Sequence, residues 1–397
     1  MNHESVMERS AGDAAIHGYH GAPRWIATAC GLAMTMALLT LAACSSAPRS
    51  PAAVGADAGQ PTQSTLVRGN SRWTPAPWSD LPGFEDDPLH EAWNAWLRSC
   101  ERPAPIFAAL CGDIRLLSLG SGQQQRAWMR QHLQPYRVES LQGETRGLLT
   151  GYYEPMLEAS RQRQEGFNVP LYAAPAAAAG LKSTRPGYTR RDMDTLPEAR
   201  AALRGRELVW LSDPVDALLL QIQGSARLRV RESDASQRWV RLSYAGSNNH
   251  AYQSPGRWLL EQHAVQDASW NGIRAWMARN PQRVQELLWS NPRVVFFHEQ
   301  PLSEQDAAFG PKGAQGVALT PQRSLAVDPN SVPYGTPLWL SSVGPATTLH
   351  RLVLAQDTGA AIVGPLRADY FVGWGAPAAD LAGRLKQPLQ LWVLWPR

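Results

Sequence analysis

Near its C-terminus the chain reads AQDTGAAIVGPLRADYF (residues 355–371). The largely apolar run Leu349–Ala355 predicts a strand, and this strand places Asp357 at its end. Gly359 then permits a backbone turn that other residues resist. A second carboxylate, Asp369, follows directly before Tyr370 and Phe371. The stretch therefore predicts a strand and a turn that carry two acids, one of them beside aromatic side chains.

These two acids have a catalytic and a structural interpretation. Apolar neighbours raise the pKa of a carboxyl because they disfavour its charged form. A carboxyl that keeps its proton near neutral pH can protonate a glycosidic oxygen. On spacing alone, however, Asp357 could equally cap a turn and Asp369 could begin one. The residues of this stretch leave both interpretations open.

Three other segments combine aromatic, amide and glycine residues in the way that sugar-binding loops do. They span residues 151–155, 221–226 and 244–252. The candidate saccharide-contacting residues in them are Tyr152, Tyr153, Glu154, Gln223, Gly224, Tyr244 and Tyr252. A strand with a core tyrosine or a polar hairpin turn explains each segment equally well.

The hydrophobic pattern predicts a mainly β chain with some helices. Leu89, Trp93, Trp96 and Leu97 share one helical face, and Trp128 with Leu133 marks a second helix. Further helical patterns fall between residues 258 and 288. Short apolar runs bounded by Gly, Pro, Asp and Ser predict strands over 148–153, 208–211, 217–222, 228–230, 239–244, 294–297, 324–327, 338–340, 349–355 and 389–394.

The N-terminus has the pattern of a lipoprotein leader. An uncharged apolar run ends in Leu41-Ala42-Ala43-Cys44, which predicts a signal peptide over residues 1–43 and a lipid on Cys44. An uncleaved membrane anchor is the alternative, since the run is nearly long enough to span a bilayer. Residues 44–84 are rich in Ala, Pro, Ser and Gly near their start and predict a flexible tether.

The remaining cysteines and the charge narrow the functional class. Cys100 and Cys111 form an even pair in an oxidising compartment, which favours a disulfide over two buried thiols. The nine histidines are scattered and no zinc-ligand spacing occurs, so we expect no metal and no cofactor. A net charge of only +4 without a basic run does not indicate nucleic-acid binding. His-Glu-x-x-His, Gly-x-Ser-x-Gly and phosphate-loop motifs do not occur.

From about residue 88 onwards, the motifs, taken in order, resemble the family of membrane-bound lytic murein transglycosylase A. The motifs are GYYEP (151–155), PLY (170–172), QIQG (221–224), SYAG (243–246), HAY (250–252), NP with VFF (291–297) and DTGAAIVG (357–364). The C-terminal part is similar to a three-aspartate module of double-psi β-barrel type, with Asp328, Asp357 and Asp369 at its three positions.

The resemblance implies a fold in two parts. A double-psi β-barrel formed by residues 85–147 and 290–397 would carry the acids, and an all-β domain over 148–289 would be inserted into it. A glycan groove would lie between them. The resemblance also implies that Asp369 is the catalytic acid, that Asp357 shapes the site beside it, and that Asp328 and Gly359 belong to the substrate-binding region. Asp328 is the most structural of the three acids.

The activity that the resemblance implies is that of a peptidoglycan lytic exotransglycosylase, a lyase that forms 1,6-anhydroMurNAc ends. The residues themselves leave exolytic and endolytic cleavage open. They also leave open a two-carboxylate muramidase, in which Asp357 or Glu154 is the second acid, and a non-catalytic peptidoglycan-binding lipoprotein. The expected location is the periplasmic face of the outer membrane, since Ser follows Cys44. Expected partners are glycan strands, with cell-wall synthesis or division proteins left open.

Overall fold

The computed structural model describes residues 64–175 and 186–397. The predicted signal peptide, Cys44 and the first part of the predicted tether lie outside these residues. Within the described ranges no helix is long and apolar enough to cross a membrane. The strands form two sheets, and the helices pack against these sheets.

The strands are, in chain order, β1 (Leu66–Arg68), β2 (Ser71–Pro75), β3 (Leu133–Ser140), β4 (Gly147–Glu154), β5 (Met156–Ser160), β6 (Val169–Tyr172), β7 (Glu207–Leu211), β8 (Ser225–Arg231), β9 (Gln237–Ser247), β10 (Val295–Pro301), β11 (Ser324–Ala326), β12 (Pro337–Val343), β13 (Thr348–Asp357), β14 (Arg367–Trp374) and β15 (Lys386–Pro396).

The α-helices are α1 (Leu89–Ser99), α2 (Pro105–Ala108), α3 (Cys111–Leu116), α4 (Gly122–His132), α5 (Arg190–Thr195), α6 (Pro197–Leu203), α7 (Pro214–Gln223), α8 (Pro255–Glu261), α9 (Trp270–Arg279), α10 (Val284–Trp289), α11 (Glu304–Ala307) and α12 (Gly375–Arg384). Single 3-10 turns lie at Trp78–Asp80, Leu117–Leu119 and Pro281–Arg283.

The larger sheet closes into a barrel. Its order is β1-β2-β3-β15-β12-β13-β11-β14-β4, and β4 also pairs with β15, so six strands from β15 to β4 form a ring. The pairs β11–β13 and β4–β14 are parallel. Leu149, Leu325, Leu338, Val353 and Tyr370 belong to the buried cluster that fills this ring. The predicted fold class, a β-barrel with a second β unit and some helices, is confirmed.

The second sheet has the order β10-β9-β8-β5-β7-β6. Alternate residues of its strands form a separate core that includes Val209, Leu228, Val240 and Phe297. The chain enters this sheet at Pro155, between β4 and β5, and leaves it after β10. We call this part the insert. The site strands of the barrel and the insert are therefore joined at two crossings.

The sheets place the domain boundaries differently from the sequence prediction. β1 and β2 lie within the predicted tether, yet β2 pairs with β3 and β1 pairs with β2, because Trp73 is buried in the barrel core. Strand β4 was expected in the insert but closes the barrel by pairing with β14 and β15. Strand β10 was expected in the barrel but pairs with β9 in the insert.

The predicted strand over Ala217–Ile222 is wrong, because this segment lies in helix α7. Pro214 occupies the first turn, Asp213 accepts a hydrogen bond from Val215 N, and Gly224 ends the helix in the left-handed region. Proline at the start, an N-cap acid and a terminal glycine are helix boundary signals. A short apolar run cannot by itself distinguish a strand from a buried helix. Here the capping residues on either side of the run identify it as a helix.

Tryptophan-rich packing holds α1 against the barrel. Trp93 and Trp96 are buried, and both contact the ring of Trp128 in α4. This confirms the predicted apolar face of α1. A disulfide joins Cys100, at the end of α1, to Cys111, at the start of α3. The bond is the one that the sequence favours, and it ties the α2 turn to the end of α1.

Candidate active site

The two candidate acids lie on either side of strand β11. Ala326 in β11 is the register partner of Asp357 in β13 and of Asp369 in β14. Asp369 is in turn the register partner of Thr150 in β4. These residues form one row across four adjacent strands of the barrel. The turn after Asp357 therefore brings the second acid back beside the first, as the sequence stretch suggests.

Strand β4 supplies a hydroxyl to each acid. The Thr150 hydroxyl donates to Asp369 Oδ1 at 2.6 Å, and the Tyr152 hydroxyl donates to Asp357 Oδ2 at 2.9 Å. Thr150 and Tyr152 are two residues apart, so their side chains lie on the same face of the strand. One strand thus orients both carboxyls, and the ring of Tyr152 also packs at 5.2 Å from the ring of Phe371.

The carboxyl of Asp369 keeps its proton to a higher pH than an ordinary aspartate does. Burial raises the pKa of Asp369 to about 6, the charge of Asp357 adds to the rise, and the Thr150 hydrogen bond and Arg367 partly offset it. Its side chain nevertheless keeps some exposed surface. Within the described part of the chain, its hydrogen bond from Thr150 uses Oδ1 and leaves Oδ2 open. A carboxyl in this state can donate a proton to a bound group and later recover one.

Asp357 has a different environment. Burial raises the pKa of its carboxyl, while hydrogen bonds from Tyr152 and backbone N–H groups act in the opposite direction. Oδ1 accepts from Ala314 N at 3.0 Å and Oδ2 accepts from Tyr152. Both oxygens are therefore occupied by donors. Burial raises the pKa of Tyr152 well above its usual value, so this tyrosine keeps its proton and remains a donor.

Asp328 is buried and holds a loop rather than facing the site. Its carboxylate accepts hydrogen bonds from Gly364 N at 2.7 Å, Asn330 N at 2.9 Å and Asn70 Nδ2 at 3.1 Å. Burial acts to raise the pKa of Asp328, but these bonds together outweigh it and hold the pKa below its usual value. Asp328 is therefore not accessible for substrate binding, and it anchors the segment between Gly359 and β14. Gly359 begins a turn in which its carbonyl oxygen accepts a hydrogen bond from Ile362 N at 2.9 Å.

Glu154 does not reach the surface of the site. Its carboxylate is fully buried and pairs with Arg227 and Arg241, each at 2.7 Å. The prediction that Glu154 contacts sugar, or provides a second catalytic carboxylate, is contradicted because both of its oxygens are enclosed by guanidinium groups. The sequence could not reveal this, since the two arginines lie on distant strands.

Of the other predicted sugar contacts, Gln223 and Gly224 lie at the end of α7, and Gln223 hydrogen-bonds to β4, whereas Tyr244 and Tyr252 have no hydrogen bond to the two acids within the described residues. Tyr153 N donates to Gln223 Oε1 at 3.0 Å, so Gln223 joins the insert to β4 directly beside the site. Gly224 ends α7 and has a φ of 82°. No hydrogen bond within the described residues links Tyr244 or Tyr252 to the two acids; Tyr244 is 48% exposed on β9.

Sequence reasoning missed Thr150, the hydrogen-bond partner of Asp369. The strand pattern contained a signal for it, because residues two apart share a face and Tyr152 was already a candidate. Sequence reasoning assigned Arg367 no role, yet its charge lowers the pKa of Asp369. Among the residues that the structure describes, no group of three or more His, Cys, Asp or Glu is placed to hold a metal ion.

Comparison with known proteins identifies both parts of the structure. Residues 148–298 match the family model "MltA specific insert domain", and residues 323–395 match "3D domain". The chain is 30% identical over 319 residues to "Membrane-bound lytic murein transglycosylase A" of Vibrio cholerae, covering 77% of this chain and 75% of that protein.

Two solved structures are similar over most of the chain. One is a lytic transglycosylase, LtgG, of Burkholderia pseudomallei, at 40% identity and a TM-score of 0.56, covering 84% of this chain and 97% of that one. The other is MltA from Neisseria gonorrhoeae, at 27% identity and a TM-score of 0.69, covering 85% and 96% respectively. The matched insert begins at residue 148, on strand β4, and ends on β10.

Proposed function

Because this chain belongs to the membrane-bound lytic murein transglycosylase A family, we propose that it cleaves the β-1,4 bond between MurNAc and GlcNAc in peptidoglycan. The product would be a 1,6-anhydroMurNAc end. The relative in Vibrio cholerae is named a lytic murein transglycosylase, and the solved Burkholderia structure is named a lytic transglycosylase. We place the glycan strand in a groove between the barrel and the insert, since binding clefts form preferentially between domains.

One observation carries the proposal. Asp369 combines a pKa of about 6 with an open carboxyl oxygen and a partly exposed side chain. Asp357 has donors on both oxygens, and Glu154 is enclosed by two guanidinium groups. A reaction that needs one acid, used twice, fits this set of carboxyls.

In the first step we assign Asp369 as the general acid. Its Oδ2 proton passes to the oxygen that links MurNAc C1 to GlcNAc, and the C1–O bond breaks as the GlcNAc alcohol leaves. Positive charge develops at C1 of MurNAc. The carboxylate left on Asp369 and the neighbouring Asp357 provide negative charge near that cation.

In the second step the same residue is the general base. The Asp369 carboxylate takes the proton of the MurNAc C6 hydroxyl, and O6 attacks C1 to close the 1,6-anhydro ring. Asp369 regains the proton that it gave away, so no water is consumed. The raised pKa suits both roles, because a group that titrates near the working pH can donate and accept.

The two rival functions predict different residues. A hydrolytic muramidase needs a second free carboxylate to activate water or form a covalent intermediate, and Asp357 and Glu154 are both engaged. A non-catalytic binding protein has no need of an acid with a raised pKa. The described geometry therefore favours the lyase over both.

We further propose that the enzyme is anchored by a lipid on Cys44 and works at the periplasmic face of the outer membrane. The support is the lipobox-like Leu41–Cys44 sequence and the membrane-bound description of the Vibrio relative. The disulfide between Cys100 and Cys111 agrees with an oxidising compartment.

The acid is tested by Asp369→Asn, with Asp357→Asn as the comparison. The amide is nearly isosteric but exchanges no proton at the required steps. Because one residue serves both steps, release of anhydromuropeptides from purified sacculi should fall by more than the roughly 10²–10⁴-fold typical of one acid–base step. Asp357→Asn should cost less. A folded Asp369→Asn enzyme with near-normal activity would overturn the assignment.

A further inference from the structure

Two arginines of the insert are buried side by side. Arg227 in β8 and Arg241 in β9 are register partners, and their side chains are 4% and 7% exposed. Two adjacent guanidinium groups without water need compensating partners, since a buried charge is costly unless it is paired and hydrogen-bonded. The positions of those partners show what the pair connects.

The first partner lies where the chain enters the insert. Glu154, the last residue of β4, accepts from Arg227 Nε at 2.7 Å, from Arg241 Nε at 2.7 Å and from Arg241 Nη2 at 3.2 Å. Its carboxylate is fully buried. Glu154 is thus a barrel residue held by two arginines of the insert.

The second set of partners lies where the chain returns to the barrel. Arg227 donates to Ala307 O and to Phe309 O, both at 2.8 Å, and Arg241 donates to Phe309 O at 2.6 Å. Phe309 also packs against the barrel side, where the guanidinium of Arg98 in α1 lies 4.0 Å from its ring. The same two arginines therefore bind both crossings between the barrel and the insert.

A third contact reaches the strand of the catalytic acid. The guanidinium carbon of Arg227 lies 3.8 Å from the ring centroid of Trp374, and Trp374 is the register partner of Glu154. Trp374 ends β14, the strand that carries Asp369. An interaction between a cation and an aromatic face is directional and strengthens when water is excluded.

We propose that Glu154, Arg227 and Arg241 are positioning residues that set the orientation of the insert over the catalytic strands. We call them the crossing clamp. The proposal rests on the proposed function, since the groove that the clamp would hold open is the one assigned to the glycan. The clamp contacts no substrate. It acts because β4 carries Thr150 and Tyr152, so the insert is fastened to the same strand that orients both acids.

The test is Arg241→Lys, which keeps the charge but loses the forked hydrogen bonds, together with Glu154→Gln. KM and kcat are measured separately on long glycan strands and on a short oligosaccharide of the same repeat. A long strand must contact both walls of the groove, so its KM should rise by about ten- to a hundredfold. The KM of the short substrate should change much less. The matched control, Glu299→Gln, breaks the ion pair with Arg161 inside the insert. It should leave the ratio of the KM on long strands to the KM on the short oligosaccharide unchanged.

A direct distance measurement keeps the test decisive if a variant is unstable. Spin labels at exposed Val343 in β12 and Arg229 in β8 report the separation of barrel and insert. In Arg241→Lys the distance distribution should broaden. Equal loss of kcat on both substrates, with unchanged KM and an unchanged distribution, would overturn the clamp. Failure of the wild-type enzyme to form anhydro ends would instead overturn the proposed function and leave the distance test valid.

Discussion

The hydroxyl of Thr150 should control the pH range over which the enzyme works. It donates to Asp369 Oδ1 at 2.6 Å and thereby stabilises the charged carboxylate. Thr150→Val keeps the β-branched shape that suits a strand but removes the donor. The pKa of Asp369, which burial has already raised to about 6, should therefore rise further.

The size of the shift follows from the strength of the bond. A hydrogen bond to a charged group contributes about 1.5–3 kcal/mol, and part of it survives when the carboxyl is protonated. A difference of about 1.4 kcal/mol between the two protonation states corresponds to about one pKa unit. In the proposed mechanism cleavage begins from protonated Asp369, so activity should be lost as the pH rises through its pKa. In Thr150→Val the alkaline limb of the pH–activity profile should therefore lie about one pH unit higher.

The assay is the initial rate of anhydromuropeptide release from purified sacculi, followed from acidic to mildly alkaline pH. At pH 7 the protonated fraction of Asp369 should grow from about one tenth to about one half in Thr150→Val. Thr150→Ser retains the hydroxyl and is the control, with an unchanged limb. A folded Thr150→Val enzyme whose limb stays in place, or moves to lower pH, would refute this account of the acid.

Two further predictions concern stability and anchoring. Replacing Cys100 and Cys111 together by Ala should lower the free energy of unfolding by about 3 kcal/mol, the chain-entropy value for a short loop, and denaturant titration measures it; an unchanged midpoint would contradict the prediction. Cys44→Ser should leave the leader uncleaved or the protein mislocalised, while a soluble protein beginning near residue 65 should still cleave sacculi. A Cys44→Ser protein whose leader is cleaved and which still fractionates with the outer membrane would argue against a lipid anchor.

The barrel strands could be predicted because most of their residues are apolar and buried. The run Leu349–Ala355, apart from His350 and Arg351, and the run 389–394, apart from Gln390, are apolar, and each forms part of a barrel strand. A short apolar run bounded by turn residues is consistent with a buried strand, and at these two places the structure has a strand. The position of Asp357 at the end of its strand followed from the same signal.

Sheet membership was harder to predict because it depends on pairing between distant segments. Strand β4 continues almost directly into β5, with Pro155 between them, and nothing local marks that the first belongs to the barrel and the second to the insert. Only pairing with β14 and β15 assigns β4. The strand prediction for residues 217–222 failed for a different reason, since the residues that begin and end the helix lie outside the apolar run.

The candidate site shows the same division. Asp357, Asp369 and Tyr152 were candidates from the sequence, and the structure brings them together in the barrel, with β11 between the two acids and the Tyr152 hydroxyl on Asp357. Glu154 was misjudged because an acid after two tyrosines resembles a sugar-binding strand end. Its function depends on Arg227 and Arg241, which follow it by 73 and 87 residues. Such a charge cluster exists only after the insert has folded onto β4.

The central claim is that cleavage closes an anhydro ring without water, and one measurement tests it directly. Purified sacculi are digested by the wild-type enzyme in water enriched in heavy oxygen, and the soluble muropeptides are analysed by mass spectrometry. The account predicts 1,6-anhydroMurNAc ends that are lighter than hydrolysis products by one water and carry no heavy oxygen. Reducing MurNAc ends that have incorporated the label would contradict it.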